Sequence, residues 1–131
     1  MNSTVEDIKD MLEADSALGL VFGTNLFIGR EPDRPDETVT LFDTSGMPPD
    51  LTFDASERYE RPSFQARVRS NSYLTGYDLT HDIVDSLHGR GQETWNSTLY
   101  SVIQCSSGPA LLDWDTGGRV RFIANFNTQR R

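Results

Sequence analysis

Two stretches of the sequence alternate strictly between apolar and polar side chains, and this alternation limits the fold more than any other feature. Between Ser63 and Ser70 the apolar positions are Phe64, Ala66 and Val68, and the intervening positions are Gln65, Arg67 and Arg69. Between Arg119 and Thr128 the apolar positions are Val120, Phe122, Ala124 and Phe126, opposite Arg119 and Arg121. A repeat of two residues is typical of a strand with one buried face. The chain is therefore predicted to contain a sheet with one face against a core.

Two segments have the longer repeat that is typical of helices. Ser3 and Glu6 have the spacing of a capping box, and the apolar residues that follow share one helical face: Val5, Ile8, Met11 and Leu12. A second helix is predicted from about Ser72 to His88, where Gly89 ends it. Its expected buried stripe is Tyr73, Tyr77, Ile83, Val84 and Leu87, while Asp78, Asp82 and Asp85 lie on another face.

The remaining segments complete an α+β domain. Further strands are predicted at about 26–28, 38–43, 98–105 and 110–112, with Gly108-Pro109 breaking the last two apart. Residues 31–37 form an acidic loop, and about 44–61 forms a long loop of the kind that is usually functional or mobile. We expect residues 1–131 to form a single domain with a mixed, mainly antiparallel sheet and two helices packed on one face.

Composition excludes several classes of protein. The net charge of −8 argues against an ordinary nucleic-acid binder, which needs a basic surface. Apolar runs reach only three residues, as at Leu20 to Phe22, so no membrane partner is expected, and the N-terminus does not look like a secretory signal. One cysteine and two histidines leave little material for a metal centre, and no cofactor is predicted.

Catalysis has one weak signal. Asp43-Thr44-Ser45-Gly46 and Asp115-Thr116-Gly117 are similar to the paired loops of aspartic proteases, in which two carboxylates share a proton. Only 14 residues follow Gly117, which is too few for the sheet that such a subunit needs. Both sites fit tight turns better, and the chain is predicted not to be an enzyme.

Charge supplies a candidate interface. Residues 1–57 carry a net charge of −10 and residues 58–131 a net charge of +2, and eleven of the twelve basic residues are arginine. If the two alternating strands are neighbours, a basic patch covers the helix-free side of the sheet: Arg67, Arg69, Arg119 and Arg121. Either these are solvated faces, or copies of the chain meet head-to-tail, basic sheet against acidic surface, as in closed rings.

The order of these motifs resembles the bacteriophage minor capsid, or tail terminator, family. The strand and turn from Thr38 to Asp50 resemble that family's Asp-Thr-Gly-Gly-type turn, with Ser45 in place of a second Gly. The stretch from Tyr59 to Arg69 is similar to its Pro-x-x-Gln-x-x-x-Arg strand. Tyr73, a helix ending at Leu87-His88-Gly89 and a last strand from Arg119 to Phe126 follow in the same order. The resemblance covers roughly residues 5–128.

The resemblance implies a structural virion protein of a long-tailed phage, made in the host cytoplasm and located in the tail or neck. Such proteins form hexameric rings that end the tail tube, join it to the head connector or stopper, and let DNA pass without specific binding. A channel wall of like charge does not hold phosphates, so Asp78, Asp82 and Asp85 are expected to face the lumen. The long loop is expected to contact the tube or connector through Met47, Pro48, Pro49, Asp50 and Phe53.

Two other functions fit the same features. The chain could be a connector or stopper protein on the head side of the phage neck. It could also be a non-viral binding module whose acidic face mimics nucleic acid.

Overall fold

The computed structural model describes residues 2–49 and 59–131, and these contain two helices and six strands. In chain order the elements are α1 (Thr4–Ala14), β1 (Leu26–Ile28), β2 (Thr38–Met47), β3 (Arg61–Ser70), α2 (Tyr73–Leu87), β4 (Glu93–Trp95), β5 (Thr98–Trp114) and β6 (Val120–Arg130). Neither described helix is long and apolar enough to cross a membrane.

All six strands belong to one sheet, in the order β1-β2-β3-β6-β5-β4. β1 and β2 are parallel and every other pair is antiparallel, so the sheet is mixed and mainly antiparallel. Both helices pack on the same face, where their apolar residues join those of the strands in one buried cluster. The predicted α+β fold is confirmed.

The two alternating strands, β3 and β6, are neighbours at the centre of the sheet. Their apolar positions pair across the ladder: Phe64 with Phe126, Ala66 with Ala124, and Val68 with Phe122. The rings of Phe64 and Phe126 stack with centroids 4.8 Å apart. These side chains are buried against the helices, as the alternation predicts.

α1 buries the predicted stripe, whereas α2 buries only part of its own. The capping box at Ser3 and Glu6 is formed, and Ile83 and Leu87 of α2 are fully buried. Tyr73 and Tyr77 were expected in the core, yet they are 47% and 39% exposed. The glycine between them explains this: a Cβ on Gly76 would lie 3.1 Å from the Phe122 ring, so the backbone itself contacts the sheet there. Both tyrosines lie edge-on to Phe122 and remain partly exposed.

Two predicted strand ends are wrong, and one strand was not predicted. β2 continues to Met47, so Thr44–Met47 belong to a strand and not to the predicted loop. Gly108-Pro109 does not end a strand, because β5 runs unbroken to Trp114 and absorbs the pair through shifts of register against β6. The short β4, which pairs with Thr98–Tyr100, was not predicted.

Candidate assembly surfaces

The four candidate arginines lie on the helix-free face of the sheet, as predicted. Arg69 of β3 is directly opposite Arg121 of β6, and Arg67 is opposite Ile123. Arg119 precedes β6, in the turn that follows β5. The adjacency of the two strands, on which the prediction of a basic patch depended, is therefore present.

The patch is not open, because the acidic loop 31–37 covers it. Arg69 is buried and donates to the Glu31 carboxylate and to three backbone carbonyls, those of Asp33, Pro35 and Asp36. Glu31 also accepts from Arg121, with the Arg121 Nε 2.9 Å from its Oε1. Arg69 therefore belongs to the predicted basic patch by position, but its guanidinium group is not exposed at the surface.

Arg119 and Arg121 are likewise paired within the chain. Arg119 contacts Asp33, Asp36 and Asp115, with Nε 2.7 Å from the Asp115 carboxylate. Arg121 contacts Asp113 as well as Glu31. The sequence showed an acidic loop and basic strands but not that one folds over the other, because the loop lies more than thirty positions from Arg69 and more than eighty from Arg119 and Arg121.

These contacts shift the titration of two carboxyl groups. Hydrogen bonds from Asn71 and then Arg119 lower the pKa of Asp36. Desolvation acts in the opposite direction at Asp115, but the backbone and side chain of Arg119 outweigh it and lower the pKa of Asp115. Asp36 and Asp115 are therefore held in their charged form.

Arg67 differs from the other three. It is half-buried, its guanidinium carbon lies 4.8 Å from the centre of the Phe42 ring, and Nη2 donates to Gln65. Its Nε is buried without a hydrogen-bond partner in the described part of the chain. Of the four candidates, Arg67 is the one with no carboxylate partner among the described ion pairs.

The acidic face of α2 points away from the sheet. Asp78, Asp82 and Asp85 are all exposed. Asp82 and Asp85, with His81, bring possible ligand atoms within 4.8 Å of one another, but all three are on the surface and His81 already pairs with Asp85. This cluster has the character of a charged surface more than of a metal site.

Of the five residues predicted for the contact loop, three lie in the described chain. Met47 ends β2, and Pro48 and Pro49 follow it; all three are exposed. Asp50 and Phe53 lie outside the described residues. Met47 also lines a cavity of about 210 Å³ on the helix-free face, together with Arg61, Ser63, Val102 and Gln104.

The two Asp-Thr sites do not form a carboxylate pair. Asp43 is opposite Phe64, which is opposite Phe126, whereas Asp115 follows the pair of Trp114 with Val120. Six residues of β6 separate these positions, roughly 20 Å along a strand. Asp115 instead accepts from the backbone N–H groups of Gly117 and Arg119, which is the turn role that the sequence favoured.

A buried polar network was missed by the sequence. Tyr100 donates to the fully buried Asp7 of α1 and accepts from Arg130 of β6. Asn96 donates to the other oxygen of Asp7 at 2.7 Å, and Glu60 pairs with Arg130. Burial, and then the hydrogen bond to Asp7, raise the pKa of Tyr100. The network joins α1 to β5 and β6; a lone Asp on the apolar side of α1 was the only signal for it.

Comparison with known proteins places this arrangement in a family. The family model for the bacteriophage tail terminator protein matches residues 10–131. No curated protein matches the chain significantly. A chain from the virion of a native gene transfer agent particle has a similar fold, with a TM-score of 0.69 and 15% identity over 98% of this chain and 94% of that chain.

The family match extends over α2, all six strands and the last five residues of α1, 10–14. The fold expected from the resemblance is the fold observed. The chain belongs to the bacteriophage tail terminator protein family and is a structural protein of the virion.

Proposed function

We propose that this protein forms a ring, hexameric as the resemblance implies, at the head-proximal end of the phage tail tube. The ring ends polymerisation of the tube and joins it to the head connector, leaving a channel for DNA. The observation that carries this proposal is the family match over residues 10–131. The similar fold of a chain from a virion particle supports it.

The exposed acids of α2 are our candidates for the channel wall. Asp78, Asp82 and Asp85 have no contact with an arginine among the described ion pairs, so their charge is available to the solvent. Like charges keep phosphates from binding, which favours passage of DNA over its retention. A map of the assembled ring with these three residues on its outer rim would refute the assignment.

The helix-free face and the end of β2 are the candidates for contacts with other subunits. Arg67 is the arginine to test between copies, because Arg69, Arg119 and Arg121 are already paired. An Arg67→Glu variant is expected to fold and to form fewer rings. Met47, Pro48 and Pro49, which are exposed beside one another, are proposed to contact the tube or connector, with Asp50 and Phe53 completing that segment.

The test is a phage in which this gene is deleted and then supplied in trans. Deletion is expected to give full heads and free tails that do not join, with tails of irregular length, seen by electron microscopy. Supplying the parent chain should restore joined particles. Joined particles of normal length without this protein would disprove the proposal.

The same material separates a terminator from a head-side stopper. Tails purified before joining should carry the chain, detected by mass spectrometry, if it acts at the tail. Its presence on heads alone would assign it to the head side of the neck.

A further inference from the structure

An exposed apolar surface, here called the Trp114 patch, lies beside the start of α2. Leu111 of β5 is opposite Phe122, and Trp114 is opposite Val120, so both face the helix side of the sheet. Leu111 is 50% exposed and Trp114 54% exposed. Tyr73 and Tyr77 contact the edge of the same Phe122 ring. Tyr73, Tyr77 and Leu111 thus adjoin one buried ring, Trp114 follows on the same face of the sheet, and all four side chains are exposed.

The Trp114 patch lies on an open edge of the sheet. β4 pairs with β5 only at Thr98–Tyr100. From Ser106 to Trp114, no strand of the described chain pairs with the side of β5 that faces away from β6. Pro109, Asp113 and the shifts of register in this stretch hinder the pairing of a further strand, yet its side chains on the helix side are leucine and tryptophan. Contiguous apolar surface of this kind marks an interaction site in soluble proteins.

A second exposed apolar pair lies at the opposite edge. Phe22 forms a bridge to Leu26 on the outer side of β1, which is the terminal strand at that end of the sheet. Phe22 and its neighbour Val21 are each about half exposed. Lys9 lies over the Phe22 ring at 4.8 Å, and Glu13 accepts from its N–H, so the ring is held in place. Four strand spacings separate β1 from β5, roughly 20 Å.

We propose that the Trp114 patch of one copy receives Val21 and Phe22 of the next copy of this chain. Two different apolar surfaces on opposite edges of one subunit make a head-to-tail contact, which repeats around a ring and leaves neither surface exposed. An isologous contact would instead bury one of them and leave the other open. Tryptophan and tyrosine are enriched in such contacts. The inference rests on the proposed function, since it names the contact by which that ring closes.

The test is site-directed cross-linking in a Cys105→Ser background, which removes the single cysteine. A chain with both Phe22→Cys and Leu111→Cys, supplied to the deleted phage, should give a ladder of cross-linked species with a short bis-maleimide, ending at the closed ring. Mixing the two single variants should give one heterodimer and nothing larger. Homodimers of Leu111→Cys alone would mean a two-fold contact and would overturn the proposal.

Matched controls use exposed positions that point elsewhere. Gln104→Cys lies on the same strand, opposite Asn127 on the helix-free face, and should not cross-link to Phe22→Cys. Absence of the ladder in particles that still join heads to tails would reject this contact and leave the proposed function intact. Particles that fail to join even with the parent chain would count against the function instead. A Leu111→Asp variant gives a second readout: a folded monomer and at least tenfold fewer joined particles.

Discussion

Arg69 and Arg67 lie two positions apart on one strand face and have opposite surroundings. Arg69 is buried and donates to four acceptors, including the Glu31 carboxylate. Arg67 is half-buried and rests on the Phe42 ring. Alternation in the sequence places both on the same face but does not distinguish them, because the difference comes from a loop thirty residues away.

Replacement of Arg69 by methionine is expected to lower the free energy of unfolding by about 3 kcal/mol, because it leaves buried acceptors and the Glu31 charge short of a partner. Arg67→Met is the matched control and should cost less than about 1 kcal/mol, the range of a partly exposed cation–π contact. Urea unfolding at neutral pH measures both. Equal losses would show that burial does not separate the two.

The lowered pKa values of Asp36 and Asp115 make the contacts of these two acids with Arg119 sensitive to acid. Both groups titrate below 3.8 in the folded chain and near that value when unfolded. The contribution of these two carboxylates to the free energy of unfolding is therefore complete above about pH 5. It is lost as the pH falls through their pKa values in the folded chain.

Asp115→Asn is expected to flatten the decline of the thermal midpoint on acidification below about pH 4, since one of the two groups is gone. Circular dichroism at a series of pH values measures the slope. Asp78→Asn removes a surface charge without touching these contacts and is the control. If the thermal midpoint of Asp115→Asn fell with pH as steeply as that of the parent chain, Asp115 would not be a source of the acid sensitivity.

The elements follow from the sequence wherever periodicity is strong. The stripe of α1 and the alternation of β3 and β6 each specify both the element and its buried face. The sequence fails at β5, where Gly108-Pro109 is a strong turn signal inside a strand. There the ladder to β6 continues on both sides, at Ser107 with Asn125 and at Ala110 with Ile123, and tertiary pairing overrides the local preference.

Gly108 is the position in this irregular strand where a side chain would not fit. Its φ is +97°, and a Cβ there would lie 2.6 Å from the Ile123 carbonyl oxygen. Gly108→Ala is expected to cost about 2 kcal/mol or more, through both strain and the clash. Gly117→Ala, where the nearest atoms are 3.4 Å away, should change the stability by less than about 1 kcal/mol. Thermal unfolding compares the two variants. An equal loss of stability would show that the close approach of Gly108 to β6 is not the cause.

At the scale of the whole molecule, the candidate assembly surfaces were only partly visible in the sequence. The arginines, the acidic helix face and the end of β2 were found because charge and proline can be read residue by residue. The Trp114 patch was not, because Leu111 and Trp114 look like ordinary strand residues until the short β4 leaves their edge uncovered. Tyr73 and Tyr77 were predicted to be buried for a different reason. Their exposure depends on how closely Gly76 brings α2 to the sheet, which the sequence pattern does not show.

Arg69, Arg119 and Arg121 are paired within the chain, so the electrostatic potential around one copy is set mainly by its acidic residues. With a net charge of −8, separate copies repel each other, and the range of that repulsion falls from about 30 Å in 0.01 M salt to about 8 Å at physiological ionic strength. Self-association through apolar edges is therefore expected to strengthen as sodium chloride is added, which analytical ultracentrifugation can follow. Association that weakened instead would point to arginines meeting carboxylates across the contact.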